Sequence, residues 1–425
     1  MPYETPSVLL ITESGFGKLL NAAIEGTPDD AVVAQILARP GVGQLMHWSD
    51  FAVALRSVGV SAETVFLNSG GLRRAADREF GLPYSENDSQ HLYNRIRHSP
   101  PETVLFASHQ GFQQHAGLVT EALRDSGQTQ LKIGFHATYV GRLETAVAPS
   151  FVLAATPGIL RQVARYGVPA YLWYLHPPGR TWVQGSTKAH EDRAIPLSFV
   201  GNSGFWDDRY RWRAWVLGTL IDAIFPLSIF HYGPNRTRRM NQGLKRRFGA
   251  IATDFTAMRT NTEKESEQRC ATEAPWFSSV RATPPDDLKH RAKVRRWRRS
   301  GLQASEPGSL TDQILNESVL TINAHGDRVL DVGNLRMFEA ASMGICQICD
   351  SGSNLADLFE SDSEIVTFSN VEEAREKTQF LLDNPTYSNR IGRAARQRYD
   401  SSHTPMARAA ELMQLLWHGP KDSAQ

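Results

Sequence analysis

The stretch INAHGDRVLDVGNLRMFEAASMGICQICD, residues 322–350, decides how this chain folds. It opens inside an apolar run of β type, VLTINA at 319–324, and passes into a polar loop that carries His325, Gly326 and Asp331. Gly333 and Asn334 then open a stretch with helical spacing over 335–343, carrying Leu335, Arg336 and Glu339, and a second apolar run closes at Asp350. Strand, loop, helix and strand in that order form one unit of a parallel sheet with crossover helices. The first N–H groups of such a helix lack intrahelical partners and its dipole is positive there, so a diphosphate can dock on it. Asp331 and Glu339 flank that helix start with seven residues between them, which allows both to face one cleft. Each carboxylate can accept paired hydrogen bonds from the neighbouring hydroxyls of a sugar or ribose.

The same alternation extends outward from this unit. Downstream lie a short helix around 355–360, a strand at 365–368, a helix at 371–383, and two tail helices at about 387–399 and 405–417. Upstream, a strand at 195–200 ends in Gly201-Asn202-Ser203-Gly204, and a long amphipathic helix at 208–225 and a strand at 227–232 follow. Periodicity is lost from 233 to about 308. In the first half, strands are expected at 7–12, 63–67, 103–107, 132–135, 150–154 and 170–173. Residues 13–24 are expected to be a loop opening into a helix, and further helices are expected at 48–58, once within 70–100, and at 158–166. HPPGRTW at 176–182 and the polar residues after it have the composition of a linker. The expected fold class is α/β, with two doubly wound domains. The first covers 1–185, the second 186–403 with a basic insert at about 234–308, and 404–425 forms a terminal helix and tail.

The chain has 425 residues, 41% apolar and 21% charged, enough apolar material for two cores and too much for a disordered chain. The start, MPYETPSVLLITESGFGKLL, lacks the basic, apolar and small-residue zones of a signal peptide. The most apolar region, 145–160, is too short to span a bilayer and contains Pro149 and Pro157. Cys270, Cys346 and Cys349 are too few for a disulfide scaffold, so a reducing cytoplasm is the expected home. Charge is nearly balanced, 46 Lys plus Arg against 45 Asp plus Glu, but unevenly spread. Residues 236–299 hold 17 basic and 7 acidic residues, and the densest piece is HRAKVRRWRRS at 290–300. Such a block is either a docking surface for phosphate-rich partners or a solvated helix face with a seam at Val294 and Trp297. No zinc finger, RNA-recognition signature or basic zipper accompanies it.

Several single features read two ways. His325 follows an apolar strand at its carboxyl end, where ligands of open α/β sheets collect, or it is a loop histidine satisfied by backbone. Gly15 and Gly17 suit either a ligand approach or a tight turn. Cys346 and Cys349 form a C-x-x-C pair inside an apolar strand with no second pair, which fits buried packing better than redox or metal chemistry. The Asn-x-Ser/Thr triplets at Asn87, Asn235 and Asn316 carry meaning only in a secreted protein.

The run Asn334-Leu335-Arg336-Met337-Phe338-Glu339-Ala340-Ala341-Ser342-Met343-Gly344, closing at Asp350, resembles the donor domain of the glycosyl transferases group 1 superfamily, most closely its CgeB-type spore-maturation branch with its N-x-R-x-F-E-A-A-x-x-G run. Residues 354–399 resemble that domain's strand-and-helix ending, and 403–416 its last helix. About half the chain is covered. The resemblance implies a GT-B architecture, two Rossmann-like domains facing a cleft with the last helix crossing back to the first. It implies a glycosyltransferase with a nucleotide-diphosphate sugar as co-substrate and no further cofactor, an acceptor hydroxyl of unknown identity, retention of anomeric configuration and no metal; no D-x-D motif occurs in the sequence.

Asp331 and Glu339 match the superfamily's E-x7-E pair, the first shortened to Asp. Gly201, Asn202, Arg211, Gly333, Asn334, Leu335 and Arg336 match or neighbour its donor-binding positions. An Arg and a Lys that neutralise the diphosphate are expected just after the first strand of the domain, but Asn202 stands at the Arg position and the nearest cations are Arg209, Arg211 and Arg213. Arg336 or the basic insert is the expected replacement. His136 falls where the branch often places a cleft-facing acidic residue or histidine, and His325 and Asp331 join it as candidate catalytic groups. An inverting reaction would need a base, for which His109, His136 and Asp331 are the candidates. Two other functions are compatible with these features. One is a non-catalytic sugar-nucleotide or partner-binding protein, which the missing cations would suit. The other is a transferase acting on a polyanion such as DNA.

Overall fold

Strands that are apolar on both faces need helices above and below them, and the chain meets that need twice. The computed structural model describes residues 6–13, 47–67, 70–79, 81–128, 132–138, 147–174, 187–205, 210–231, 293–294, 296–297, 303–304, 311–326 and 331–418. The chain divides into one unit of Met1–Ser186 with Tyr399–Gln425 and another of Thr187–Arg398.

In the first unit the order is β1 (Ser7–Glu13), α1 (His47–Ser57), β2 (Ser61–Leu67), α2 (Gly70–Glu79), α3 (Asp88–His98), β3 (Thr103–Phe106), α4 (His109–Asp125), β4 (Lys132–Ala137), β5 (Phe151–Ala154), α5 (Pro157–Ala164) and β6 (Ala170–Leu172). The sheet runs β2-β1-β3-β4-β5-β6, with every pair parallel. Alternate residues serve opposite faces. Leu9, Ile11, Val104 and Phe106 pack with Phe112 and Val119 of α4, while Val8, Leu10, Leu105 and Leu153 pack with Phe51 and Leu55 of α1.

The second unit contains β7 (Ile195–Gly201), α6 (Arg211–Asp222), β8 (Leu227–His231), β9 (Gln303–Ala304), α7 (Thr311–Asn316), β10 (Ser318–Asn323), α8 (Leu335–Ser342), β11 (Cys346–Asp350), α9 (Leu355–Leu358), β12 (Val366–Phe368), α10 (Val371–Asp383) and α11 (Pro385–Ser402). Its sheet is also parallel and runs β12-β11-β10-β7-β8-β9. From β7 the chain first builds outward to β9, then returns to lay β10 on the other side of β7. The strand order therefore reverses between β7 and β10, and in open α/β sheets ligands bind in the crevice at the carboxyl ends of such strands. The last helix, α12 (Pro405–Met413), belongs to the first unit. Its Ala409 and Leu412 join the α1 face, the Trp173 Nε1–H donates to Arg408 O at 3.1 Å, and Lys132 Nζ donates to Leu416 O at 2.9 Å.

Several expectations need correction. Residues 70–100 hold two helices: the chain turns at Gly81–Pro83, and Asn87 caps α3 by accepting the Gln90 N–H at 2.9 Å. That use explains the Asn87 triplet, and Asn316 Oδ1 is likewise occupied by the Lys188 N–H at 2.9 Å. Helix α4, which the sequence reading omits, buries Phe112, Ala116, Val119 and Leu123 on one stripe and is capped by Ser108. Helix α7 was not anticipated, and β9 lies within the stretch of lost periodicity. Helix α6 spans Arg211–Asp222, shorter than 208–225, and α11 starts at Pro385 and ends at Ser402. The loop and helix expected at 13–24 with Gly15 and Gly17, the linker at 176–182, Arg209, Asn235, Cys270 and most of the basic insert lie outside the described residues.

Within the basic block the two residues of the expected seam both pack inward. Trp297 is buried in the core of the second unit with Val294 packed beside it, and its Nε1–H donates to Asp222 Oδ1 at 2.9 Å. Among the described residues no helix is long and apolar enough to cross a membrane. Trp297 lies flat on α6 at Gly218, where a Cβ would come within 2.4 Å of the indole ring. Gly218→Ala should therefore lower stability by about 1–3 kcal/mol through overpacking, read from urea unfolding midpoints. An unchanged midpoint would show that the indole can move aside.

Candidate functional site

The carboxyl ends of β7 and β10 are held together by one arginine. After β7 the chain turns through Gly201-Asn202-Ser203-Gly204, with the Asn202 Oδ1 accepting the Gly204 N–H at 3.0 Å. Gly204 sits at φ +76°, and a Cβ there would lie 2.1 Å from Tyr210 O, so this position admits glycine alone. Arg213, in the first turn of α6, donates from NH1 to Asn202 O at 2.7 Å and from Nε to Ala324 O at 2.6 Å. Its guanidinium stacks over the Tyr210 ring, 4.4 Å from the centroid. The turn after β7 and the end of β10 are thereby one rigid edge.

The start of α8 is fastened to the same edge by a pair of amides. Asn323 Nδ2 donates to Asn334 Oδ1 at 2.9 Å and Asn334 Nδ2 donates to Asn323 Oδ1 at 2.8 Å, while Asn334 Oδ1 also accepts the Met337 N–H at 3.1 Å as helix cap. Gly333, at φ +122°, turns the chain into this cap. The preceding loop is stapled to the start of α9: Ser353 Oγ donates to Asp331 Oδ1 at 2.9 Å, and Asn354 exchanges bonds with Val332 N at 2.8 Å and Val332 O at 3.0 Å. At the other end of α8, Arg193 NH2 donates to Met343 O at 2.9 Å and Arg396 donates to Ser342 O. Cations at the helix end complement its dipole.

Glu339 is buried at 2% exposure inside α8. Its Oε2 is paired with the Arg336 guanidinium, and its Oε1 has no hydrogen-bond partner among the described residues. Burial raises the carboxyl above its ordinary range, and Arg336 opposes that rise. Gln347 on β11 is similar: its Nε2 donates to Arg336 O at 3.2 Å, and its Oε1 lacks a partner among the described residues. Buried acceptors left open beside a cation suit a ligand rich in hydroxyl donors.

Asp350, at the end of β11, gathers three donors. Its Oδ2 accepts the His325 N–H at 2.9 Å and the Trp212 Nε1–H at 3.1 Å, and its Oδ1 lies 2.7 Å from His325 Nδ1. Cys349 Sγ stands 3.9 Å from the same Nδ1, and the three side chains are the group among the described residues whose ligand atoms could hold a metal ion. Atoms each about 2.0–2.1 Å from a tetrahedral zinc would stand about 3.3 Å apart. At 2.7 Å the nitrogen and oxygen instead share a proton. Cys346 points to the opposite face, where burial pushes its thiol up to about 12, so the C-x-x-C pair cannot act together.

The second unit thus assembles Gly201, Asn202, His325, Asp331, Gly333, Asn334, Leu335, Arg336 and Glu339 around the ends of β7, β10 and β11, with Arg211 at the first position of α6. The side chains of Asn202 and Asn334 are committed to a turn and a cap. His136 and His109 belong to the first unit. The His136 ring is buried against Trp173 and Trp48, centroids 5.4 and 6.0 Å away, a setting of core packing more than of acid–base work. His109 begins α4 against Phe135, and burial holds it down to about 4, so it is neutral near pH 7. Arg213 was named only as one of the nearest cations and Asp350 only as the end of its strand, while Trp212, Asn323 and Gln347 were not anticipated. Asn323 and Gln347 were visible as polar residues inside apolar strands, whereas nothing in the sequence pairs Arg213 with Ala324.

Residues 290–414 match the family model described as glycosyl transferase-like. The fold is similar to a glycosyltransferase from Rickettsia africae ESF-5, with TM-score 0.56 and 12% identity over 99% of this chain and 100% of that one. It is also similar to sucrose-phosphate synthase from Thermosynechococcus elongatus, with TM-score 0.52 and 11% identity over 96% and 98% of the two chains. A third similarity is to AviGT4, a glycosyltransferase involved in avilamycin A biosynthesis, with TM-score 0.50 and 12% identity over 98% and 99%. Identities this low establish the fold, GT-B, and not the reaction. No curated protein matches the sequence significantly.

The raised carboxyl of Glu339 has a measurable consequence. A folded-state value above the unfolded one means that the native state holds its proton to higher pH, so stability falls as pH rises past about 4.5, the ordinary value. Glu339→Gln should remove that decline and raise the unfolding midpoint at pH 7 relative to wild type. Equal pH dependence in the two proteins would mean that Arg336 fully offsets the burial.

Proposed function

We propose that this protein is a glycosyltransferase that moves a sugar from a nucleotide-diphosphate donor to an acceptor hydroxyl. The observation that carries the proposal is Glu339: a buried carboxylate in a capped helix, one oxygen on Arg336 and the other without a partner among the described residues, within the segment that matches the glycosyl transferase-like model. The N-x-R-x-F-E-A-A-x-x-G run speaks for the CgeB-type branch. In the proposed complex Glu339 Oε1 accepts hydrogen bonds from the ribose, the open start of α8 and Arg336 face the diphosphate, and Asp331 lies toward the sugar.

Catalysis would then rest on positioning and on stabilising the departing diphosphate while the acceptor oxygen attacks the anomeric carbon. Retention and independence from metal belong to the same proposal, the latter supported by the absence of a D-x-D motif in the sequence. If the reaction inverts, the candidate bases are His109, His136 and Asp331; burial leaves His109 neutral near pH 7 but, by holding it down to about 4, makes it a weak proton acceptor. Cytoplasmic residence is likewise proposed.

One observation favours a second function, nucleotide-sugar binding without transfer. Asn202 stands where a cation is expected, and Arg213, the cation next to it, is spent on two carbonyl oxygens. A thermal-shift panel of nucleotide-diphosphate sugars on the full chain tests both. A true donor present at 100 times its dissociation constant should stabilise the protein by about 2.7 kcal/mol. Glu339→Ala should weaken binding by roughly ten- to a hundredfold, the loss of a hydrogen bond to a charged group. A donor that binds but is neither transferred nor hydrolysed would support the second function, and no shift with any donor would end both.

A further inference from the structure

Helix α6 ends in a way that its own fold does not require. The Phe225 N–H donates to Leu220 O and the Ile224 N–H to Ile221 O, both at 3.1 Å, so Ile224 takes the left-handed position of a helix-end cap, at φ +61°. Helices α1, α2, α4 and α8 end in the same pair of bonds, and the residues at that place are Gly59, Gly81, Gly127 and Gly344. A β-branched side chain is a true outlier there. Among the described residues the other non-glycine at positive φ is Asp362, a residue type that tolerates it. Burial does not offset the strain at Ile224. Its side chain is 89% exposed, against 55% or less for the other exposed large apolar residues among those described. Ala223 and Pro226 on either side are exposed too, so the end of α6 is an apolar tip in water. Strained positions of this kind cluster where a side chain serves function.

A basic segment is fastened beside the tip. Asp222, two residues before Ile224, accepts the Trp297 Nε1–H at 2.9 Å and is paired with the Arg296 guanidinium. Trp297 and Val294 pack inward, the indole against Gly218 of α6, while Lys293 and Arg296 face solvent. The sequence around them adds Arg291, Arg295, Arg298 and Arg299, and residues 290–300 contain no acidic residue.

We propose that the Ile224 tip and this basic segment together form a docking surface for an anionic phospholipid bilayer. Ile224 enters the boundary between headgroups and acyl chains, and Lys293, Arg296 and their neighbours lie over the lipid phosphates. Cations alone would suit any polyanion. The apolar tip selects among them: an aliphatic side chain gains nothing from a nucleic-acid backbone, whereas at a bilayer surface it leaves water. Trp297, pressed on α6, is what keeps the cations next to the tip.

Co-sedimentation of the full chain with vesicles tests this. Vesicles of phosphatidylcholine and phosphatidylglycerol in equal parts should bind roughly tenfold more tightly than pure phosphatidylcholine, with the preference shrinking as salt rises. Ile224→Gly removes the side chain and relieves the backbone, so it should melt at the wild-type temperature or above it while binding the anionic vesicles roughly tenfold more weakly. Replacing Lys293 and Arg296 together by Gln should cost about fivefold or more and flatten the salt response. Equal binding to both vesicle types, or to neither, would overturn the inference, as would Ile224→Gly vesicle binding equal to wild type. Duplex DNA that displaces the vesicles and binds Ile224→Gly as well as wild type would make the basic segment a nucleic-acid surface and overturn it too. So would a wild-type dimer in sedimentation velocity that Ile224→Gly turns into a monomer, since the tip would then be a contact between two copies of the chain.

Discussion

Everything in the second unit depends on the reversal of strand order between β7 and β10. A chain that builds β7, β8 and β9 in one direction and then returns to add β10, β11 and β12 leaves the crossovers on either side of the reversal diverging. The gap at the carboxyl ends cannot be filled by a crossover, so it is lined by loops and helix starts. Here those are the Gly201–Gly204 turn, the residues after Asn323, and the cap at Asn334. Arg213 and the Asn323–Asn334 amide pair keep that edge from collapsing by satisfying backbone and side-chain groups across it.

Polar burial at this edge is divided between groups that are satisfied and groups that are not. Asp350 has three donors and costs little to bury; its removal would strand His325 and Trp212. Glu339 and Gln347 each keep an oxygen without a partner among the described residues. Such oxygens cost stability unless something supplies a hydrogen, and in the proposed complex the hydroxyls of the donor would supply it.

The first unit shows the contrasting case. His136 carries the same imidazole as His325, at the end of a parallel strand, yet its ring is packed among Trp48 and Trp173 on the face covered by α1 and α12. Residue type and strand position were alike; the face of the strand and the aromatic neighbours set the two apart. Helix α4 shows the complementary point, since its stripe Phe112, Ala116, Val119 and Leu123 was legible and simply adjoined two strands too closely to stand out.

Sequence alone determined the α/β class, the strands of both sheets save β9, and the helix α8 with its glycine, asparagine, arginine and glutamate, because apolar periodicity and helix-start chemistry are local. It also marked Trp297 as a seam in a basic helix. Only the tertiary structure decided that β7 neighbours β10, that Arg213 is consumed by carbonyl oxygens of Asn202 and Ala324, and that Asp350 orients His325 from 25 residues away. Those contacts join segments distant along the chain, and a hydrogen bond between distant segments leaves no periodic trace in either one.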